Sequence, residues 1–332
     1  MNPYREEVEM TAPTLPDTMR AAVVDAAGPP EAIHIARVPV PKLKRGHVVI
    51  ALDYASVGSW DGMLRKGAWG PVKRGTILGA DGSGTVAAVA PGVERLRAGD
   101  RVYSYSYDNP EGGFYAEYVS VPAERVEHVP AQLDQAVAGA MPCVALTAHT
   151  GLRKLKVRTG QRLLVFGASG GVGSLAVWLA SGTLLATVTA TARPDAEAYV
   201  LALGAAHPVD PYAPEHDEIL KRVAPLPPGF EAALVTAGGA SLSAFLARLG
   251  PHAELAYPNG VEPKPHAPGH RAHAYDGEMA RAAFERLNEA IGARPLPLRL
   301  EVFPFEDVVD AHRRLERGHV IGKLVLRIDR AR

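Results

Sequence analysis

Leu163-Leu164-Val165-Phe166 runs straight into Gly167-Ala168-Ser169-Gly170-Gly171-Val172-Gly173 and then into a further apolar stretch. An apolar strand, a glycine-rich turn and a helix in that order can cradle a pyrophosphate. Glycines permit the tight turn, the close approach of backbone to phosphate and the packing of helix on strand. Unpaired amides at the helix start, aided by the helix dipole, hold the negative charge. Gly167, Ala168, Ser169, Gly170, Gly171, Val172 and Gly173 are therefore the expected contacts of a dinucleotide. The plainer reading is a tight turn without a ligand, and the β/α alternation that follows the turn weighs against it.

The end of the next strand bears on which dinucleotide it is. An acid about 20 residues past the glycines binds a ribose 2′-hydroxyl, whereas a basic residue nearby accommodates a 2′-phosphate. The strand ends Thr189-Ala190-Thr191-Ala192-Arg193-Pro194, with no acid before Asp195. Arg193 offers a planar fork suited to phosphate, and Asp195 suits the first turn of the following helix. NADPH is the expected cofactor; the alternative for Arg193 is a solvated surface arginine.

These elements need a frame, and the composition permits a large one. The chain has 332 residues, 47% hydrophobic and 22% charged, which suggests two domains with substantial cores. Lys plus Arg and Asp plus Glu are 36 each, so no basic field invites nucleic acid or an anionic membrane. Cys143 is the only cysteine, which rules out an internal disulfide and a thiolate-rich zinc site and fits a reducing, cytoplasmic setting. Residues 1–18 read as a polar, flexible lead-in without the apolar region of a signal peptide. No apolar run approaches the length of a membrane span, so a soluble protein is expected.

From Met19 to about Val129, short apolar runs broken by Gly and Pro predict an all-β module. From Gly160 onward, near-continuous apolar strands alternate with helices, predicting a parallel sheet covered on both faces. The glycine-rich turn lies between the strand Arg162–Phe166 and the helix Gly171–Ala180. A helix over Glu278–Ile291 closes that unit. The tail, with a strand at Leu298–Phe303, a helix over Phe305–Arg317 and a strand at Leu324–Ile328, returns to the first style and can rejoin the first module.

Several longer segments together resemble the medium-chain dehydrogenase/reductase superfamily, specifically its zinc-independent quinone oxidoreductase-like branch. They include Leu78-Gly79-Ala80-Asp81-Gly82-Ser83-Gly84-Thr85-Val86, Gly99-Asp100-Arg101-Val102 and Pro142-Cys143-Val144-Ala145-Leu146-Thr147-Ala148. The glycine-rich turn and the stretch from Ala311 to Gly322-Lys323 belong with them, so the resemblance spans nearly the whole chain from Met19. It implies an α/β protein with a GroES-like β domain, residues 19–140 with 298–332, and a Rossmann doubly wound parallel-sheet domain, residues 141–297. A cleft between them and a homodimer are implied as well. Zinc-dependent relatives place a cysteine within the segment that here reads Ser56-Val57-Gly58-Ser59-Trp60-Asp61 and a His-Glu pair where Ala80-Asp81 stand; Gly58 and Ala80 cannot bind metal, so no metal site is expected. His266, His270 and His273 have tempting spacings, but Pro265, Pro268 and Gly269 break any helix that would align them.

The resemblance also points to pocket residues. Ser59, Trp60, Asp61 and Trp69 are the candidates on the acceptor side, the two tryptophans as stacking platforms for a flat molecule and Ser59 as a hydroxyl donor. Each has a plain alternative as wall or core, and a structural hydrogen bond is the stronger reading of Asp61. Trp69 follows Arg65-Lys66-Gly67-Ala68, where enoyl-reductase relatives often carry a proton-donating tyrosine, and an indole cannot usefully protonate a carbanion. Thr147, Tyr212 and Asn259 join the glycine-rich turn and Arg193 as cofactor candidates, and Cys143 reads as a small buried residue. The expectation is a zinc-independent, NADPH-dependent oxidoreductase passing hydride to a quinone or similar carbonyl-conjugated small molecule. The alternatives are an enoyl or enone (C=C) reductase and an NADPH-binding regulatory protein without turnover. No side chain is assigned a catalytic role.

Overall fold

The computed structural model describes residues 15–109, 112–226 and 228–330; most of the expected lead-in, 1–14, lies outside them. In chain order the first elements are β1 (Thr18–Val24), β2 (His34–Pro39), β3 (His47–Val57), α1 (Ser59–Arg65), β4 (Thr76–Ile77), β5 (Asp81–Val89), β6 (Arg101–Tyr105), β7 (Tyr118–Pro122) and β8 (Val126–His128). Helices α2 (Gln135–Ala140) and α3 (Pro142–Lys154) then lead to β9 (Arg162–Phe166), α4 (Gly171–Gly182), β10 (Thr187–Thr191), α5 (Glu197–Ala202) and β11 (His207–Val209). The chain continues with α6 (His216–Val223), β12 (Phe230–Val235), α7 (Leu242–Leu246), β13 (Leu249–Pro258), β14 (Arg271–Tyr275), α8 (Arg281–Ala293), β15 (Leu300–Pro304), α9 (Val308–Glu316) and β16 (Lys323–Arg327).

The middle of the chain forms a parallel sheet in the order β11-β10-β9-β12-β13-β14. Its central strands are apolar along their length, as burial on both faces demands: Leu163, Leu164 and Val165 are fully buried. The strand order reverses beside β9, since β10 lies on one flank and β12 on the other. Such a switch point leaves a crevice outside the carboxyl ends of the two strands, the customary place for a ligand in open α/β sheets.

The first part of the chain builds a second sheet, β15-β16-β3-β5-β6-β8, with β7 also paired to β3, and a small sheet β2-β1-β4. Chain-end strand β16 runs antiparallel to β3 with Leu324 opposite Val57. The tail thus returns to the first sheet and brings residues 317–323 to the mouth of the crevice.

The first module is not all-β. Helix α1 follows β3 directly, inside the stretch expected to be all-β. Seven residues are too few to display an apolar period, and the helix holds by other means. The Asp61 carboxylate accepts the Gly58 N–H at 2.9 Å, the reciprocal half of a capping box. Arg65, at its other end, is fully buried. The guanidinium of Arg65 donates to the Gly28 carbonyl, to Glu316 on α9 and, at 3.4 Å, to His312 Nδ1. Burial, then the neighbouring Arg65 charge, pushes His312 down to about 4, which keeps its ring neutral and able to accept.

Replacing Arg65 by Met keeps the bulk and removes every donor. Glu316 remains partly solvated, so the cost comes mainly from the stranded Gly28 carbonyl and His312 ring, about 2–3 kcal/mol. Urea denaturation of R65M should show a lowered midpoint; an unchanged midpoint would remove α1 and α9 from the set of elements fixed by this arginine.

Candidate active site

The turn after β9 is shaped by contacts that admit only glycine at its two ends. Gly167 has φ +84, a conformation costly for other residues. A Cβ on Gly173 would stand 2.1 Å from the Gly167 carbonyl oxygen, so α4 can pack onto the turn only without one. The turn is tied to its neighbours on both flanks. Gly167 N–H donates to Thr191 Oγ1 at 2.7 Å, and Thr236 Oγ1 donates to the Gly167 carbonyl at 3.0 Å. Helix α4 starts after Gly170 with no side-chain cap and no acid in its first turn. Its first amides therefore stay available to an anion.

A cleft of about 650 Å³ runs from this turn in two directions, within the usual range for small-molecule sites. Gly167, Ser169, Gly170, Gly171 and Val172 line it, whereas Ala168 and Gly173 shape the turn from behind and do not. One direction ends at Arg193 and Tyr212, joined by Arg317 and His319 from the chain-end segment. The other passes Thr147 and Asn259 to Ser59, Trp60 and Asp61. Apart from Ala168 and Gly173, the sequence-derived candidates thus gather in one cleft, with one further exception. Trp69 does not line it; half exposed, it packs against Trp60 with ring centroids 4.2 Å apart. Trp60 in turn meets Tyr107 edge-on at 5.4 Å, so this end of the cleft has an aromatic wall at Trp60, with Trp69 packed on it outside the lining.

Two candidates are occupied by structural bonds. Thr147 Oγ1 donates to the Cys143 carbonyl at 2.7 Å, which leaves it an acceptor toward the cleft. The Asp61 carboxylate caps α1.

Sequence reasoning missed the cleft floor. Asp81 and Lys323 are buried, line the cleft, and flank Asp61 and Cys143. Lys323 Nζ donates to the Val57 carbonyl at 3.0 Å, and Cys143 N–H donates to Asp81 Oδ2 at 2.8 Å. Burial pushes Asp81 up to about 7, against the pull of Lys323, the Cys143 N–H and the Ser56 hydroxyl. Asp61 is pushed up to about 6 by the same cause, against the Gly58 N–H and Lys323. Two carboxyl groups therefore change protonation near neutral pH at the inner end of the cleft. Cys143, expected as a small buried residue and not a nucleophile, is partly buried and stands on the cleft wall. Burial, then the Asp81 charge, pushes its thiol up to about 12, so it is no thiolate nucleophile. The available signal was a lysine opening an otherwise apolar strand, Gly322-Lys323-Leu324-Val325-Leu326.

Among the described residues no group of three or more His, Cys, Asp or Glu side chains is placed to hold a metal ion. His270 Nδ1 instead meets the Ala253 carbonyl, and His273 pairs with Glu254 at 2.7 Å. No helix among them is long and apolar enough to cross a membrane.

Comparison with known proteins places this geometry. Residues 44–131 match the family described as alcohol dehydrogenase GroES-like domain, and residues 203–326 match zinc-binding dehydrogenase. Among curated proteins, 2-methylene-furan-3-one reductase of Solanum lycopersicum is 30% identical over 95% of this chain and 81% of its own length. The NADPH-dependent alkenal/one oxidoreductase, chloroplastic, of Arabidopsis thaliana is 28% identical over 94% and 80%. Among solved structures, mycobacterial Rv1454c complexed with NADPH superposes with a TM-score of 0.80 at 27% identity, covering 93% of this chain and 99% of that one. The quinone oxidoreductase from Coxiella burnetii shares the fold, with a TM-score of 0.81 at 24% identity over 94% and 100%.

The floor carries its own test. Asp81 sits above its ordinary range in the folded chain, so its stabilising contribution is complete below about 3.9. That contribution is lost as pH rises through about 7. Asp81→Asn lacks the ionising group, so its stability relative to the parent should increase between pH 5 and pH 8 in urea titrations. A constant difference across that range would show that Asp81 titrates as it does in the unfolded chain.

Proposed function

This chain is an oxidoreductase of the medium-chain dehydrogenase/reductase family that uses a nicotinamide cofactor, and on that footing we propose that it is an NADPH-dependent, zinc-independent reductase of carbonyl-conjugated acceptors such as quinones. The observation that carries the cofactor choice is Arg193, lining the cleft at the end of β10 beside Thr191 and Tyr212. Glycines at 167 and 173 leave the backbone room for a pyrophosphate, and the uncapped start of α4 supplies its donors. In this reading 141–297 carries the nucleotide, and 19–140 with 298–332 carries the acceptor.

When bound, the nicotinamide supplies a hydride; the chain's own residues orient and enclose. Ser169, Gly170, Gly171 and Val172 hold the pyrophosphate, while Thr147 and Asn259 flank the path to the inner end. Trp60, edged by Tyr107, offers a flat face to a planar acceptor. Ser59 is the hydroxyl beside it that can donate to a carbonyl oxygen. Zinc independence rests on the residues themselves, since Gly58 and Ala80 carry no ligand atoms. Cys143 adds no thiolate either, its thiol being held up to about 12.

Reduction of an enone C=C bond is the second reading, favoured by the names of the tomato and Arabidopsis relatives. A panel of quinones, enals, enones and enoyl thioesters, followed by NADPH oxidation and product analysis, separates the two. Quinone turnover alone supports the first reading and saturated carbonyl products support the second. NADPH binding without turnover of any acceptor would overturn both in favour of a regulatory binder. Full activity after exhaustive chelation is expected. Arg193→Ala should weaken NADPH about ten-fold or more, as loss of a charge-assisted contact implies, and NADH by less than two-fold. Equal effects on the two would dismiss the arginine from 2′-phosphate recognition.

A further inference from the structure

The segment that follows α9 is held unusually firmly for a loop. Gly318 and His319 both have positive φ, +71 and +49, the latter uncommon for a residue with a side chain. Their carbonyls accept from Arg314 at 3.0 and 3.4 Å, and Arg314 itself pairs with Glu301 at 3.0 Å. At the other end Gly322 N–H donates to the Ser169 carbonyl on the glycine-rich turn at 2.8 Å. This clamped backbone aims His319 across the cleft, where Nε2 lies 2.8 Å from Asp195 Oδ2.

Asp195 is an awkward neighbour for a 2′-phosphate. It lies 22 positions after Gly173, where an acid serves a ribose hydroxyl, and two positions from Arg193. Its carboxyl is held below the ordinary range, first by the His319 hydrogen bond and then by the charges of His319 and Arg193. It is therefore ionised at neutral pH, and left to itself it would oppose a phosphate dianion and compete for Arg193.

We propose that His319 is a cofactor-specificity residue: held across the cleft by its left-handed loop, it engages Asp195 and screens that carboxylate, so that a 2′-phosphate meets Arg193 and Arg317. This rests on the NADPH reading and extends it to a residue more than a hundred positions away from the nucleotide-binding sequence. It also explains why an acid at the NADH-type position is compatible with NADPH here: one of its two oxygens, Oδ2, is already engaged by His319 from the chain-end segment.

The test is a titration of NADPH and NADH into the full chain, by quenching of protein fluorescence, for four proteins: parent, His319→Asn, Asp195→Asn and the double variant. Asparagine tolerates positive φ, so H319N removes the imidazole without forcing the loop. H319N should weaken NADPH about five-fold, the scale of one unscreened charge a few ångströms away in a largely aqueous setting, and NADH less than two-fold. In the D195N background the same change should leave NADPH affinity within two-fold, and the H319N defect should shrink as salt rises from 20 mM to 500 mM. Equal weakening of both cofactors would mean that His319 merely supports the loop, and a defect that persists with D195N would mean that it touches the phosphate itself. Either overturns the proposal. A parent protein that binds NADPH no better than NADH would instead strike down the NADPH reading, and this inference with it. NADPH preference that is sensitive to R193A but not to H319N leaves that reading intact and removes only the role of His319.

Discussion

One ammonium group, Lys323 Nζ, sits buried where the two large sheets meet, and much of the cleft is arranged around it. An uncompensated cation in such a place costs several kcal/mol. Its single carbonyl partner, Val57, does not neutralise it, so the nearby Asp61 and Asp81 carboxyls carry the opposing charge. The stem of Lys323 also dictates what its neighbours can be. A Cβ on Gly171 would lie 2.8 Å from Lys323 Cδ and 3.0 Å from Val144 Cγ1. Glycine at 171, which by sequence belongs to a phosphate cradle, is thus required a second time by a lysine from the far end of the chain.

The same arrangement makes the two ends of the cleft chemically unlike. The inner end is buried, aromatic on one wall and nearly balanced in charge, with two carboxyl groups that change protonation near neutrality. The outer end is exposed and basic, with Arg193, Arg317 and His319 offset by Asp195. A long, asymmetric molecule with an anionic end and a flat reactive end suits that polarity, and the reverse orientation would put phosphate among Asp61 and Asp81.

How much of this was legible in the sequence follows from the distance over which each contact acts. The glycine-rich turn could be read because its constraints are local: Gly167 and Gly173 are six residues apart and their clash would be with each other. Arg193 could be read because a strand end has a fixed relation to the turn beside it. Helix α1 could not, because its stability comes from a buried arginine that pattern reading counts as a surface residue. Trp69 was placed in the pocket by the resemblance, at the point where enoyl-reductase relatives often carry a tyrosine, but its ring packs against Trp60 and stays out of the cleft lining. Lys323 and His319 escaped because each acts through a partner far off in the chain, 266 residues for Lys323 with Val57 and 124 for His319 with Asp195. Nothing local marks His319 as part of a site, and the one local sign of Lys323 is its charge at the start of an apolar strand.

Those long-range contacts also decide which end of the cleft can give. At the outer end, the segment 317–322 holds the opposite wall through the Asp195–His319 pair and the hydrogen bond from Gly322 to Ser169. An exposed ion pair contributes little to stability, and one backbone hydrogen bond adds about 1 kcal/mol net. At the inner end Lys323, Val57, Asp61 and Asp81 all belong to the first module, and the joint to the parallel-sheet side is the hydrogen bond from Cys143 N–H to Asp81 and the packing of Lys323 on Gly171. A part-buried hydrogen bond to a carboxyl group and close packing are harder to part than one exposed pair. Of the two joints between the modules, the outer one, at His319 and Asp195, is therefore the weaker.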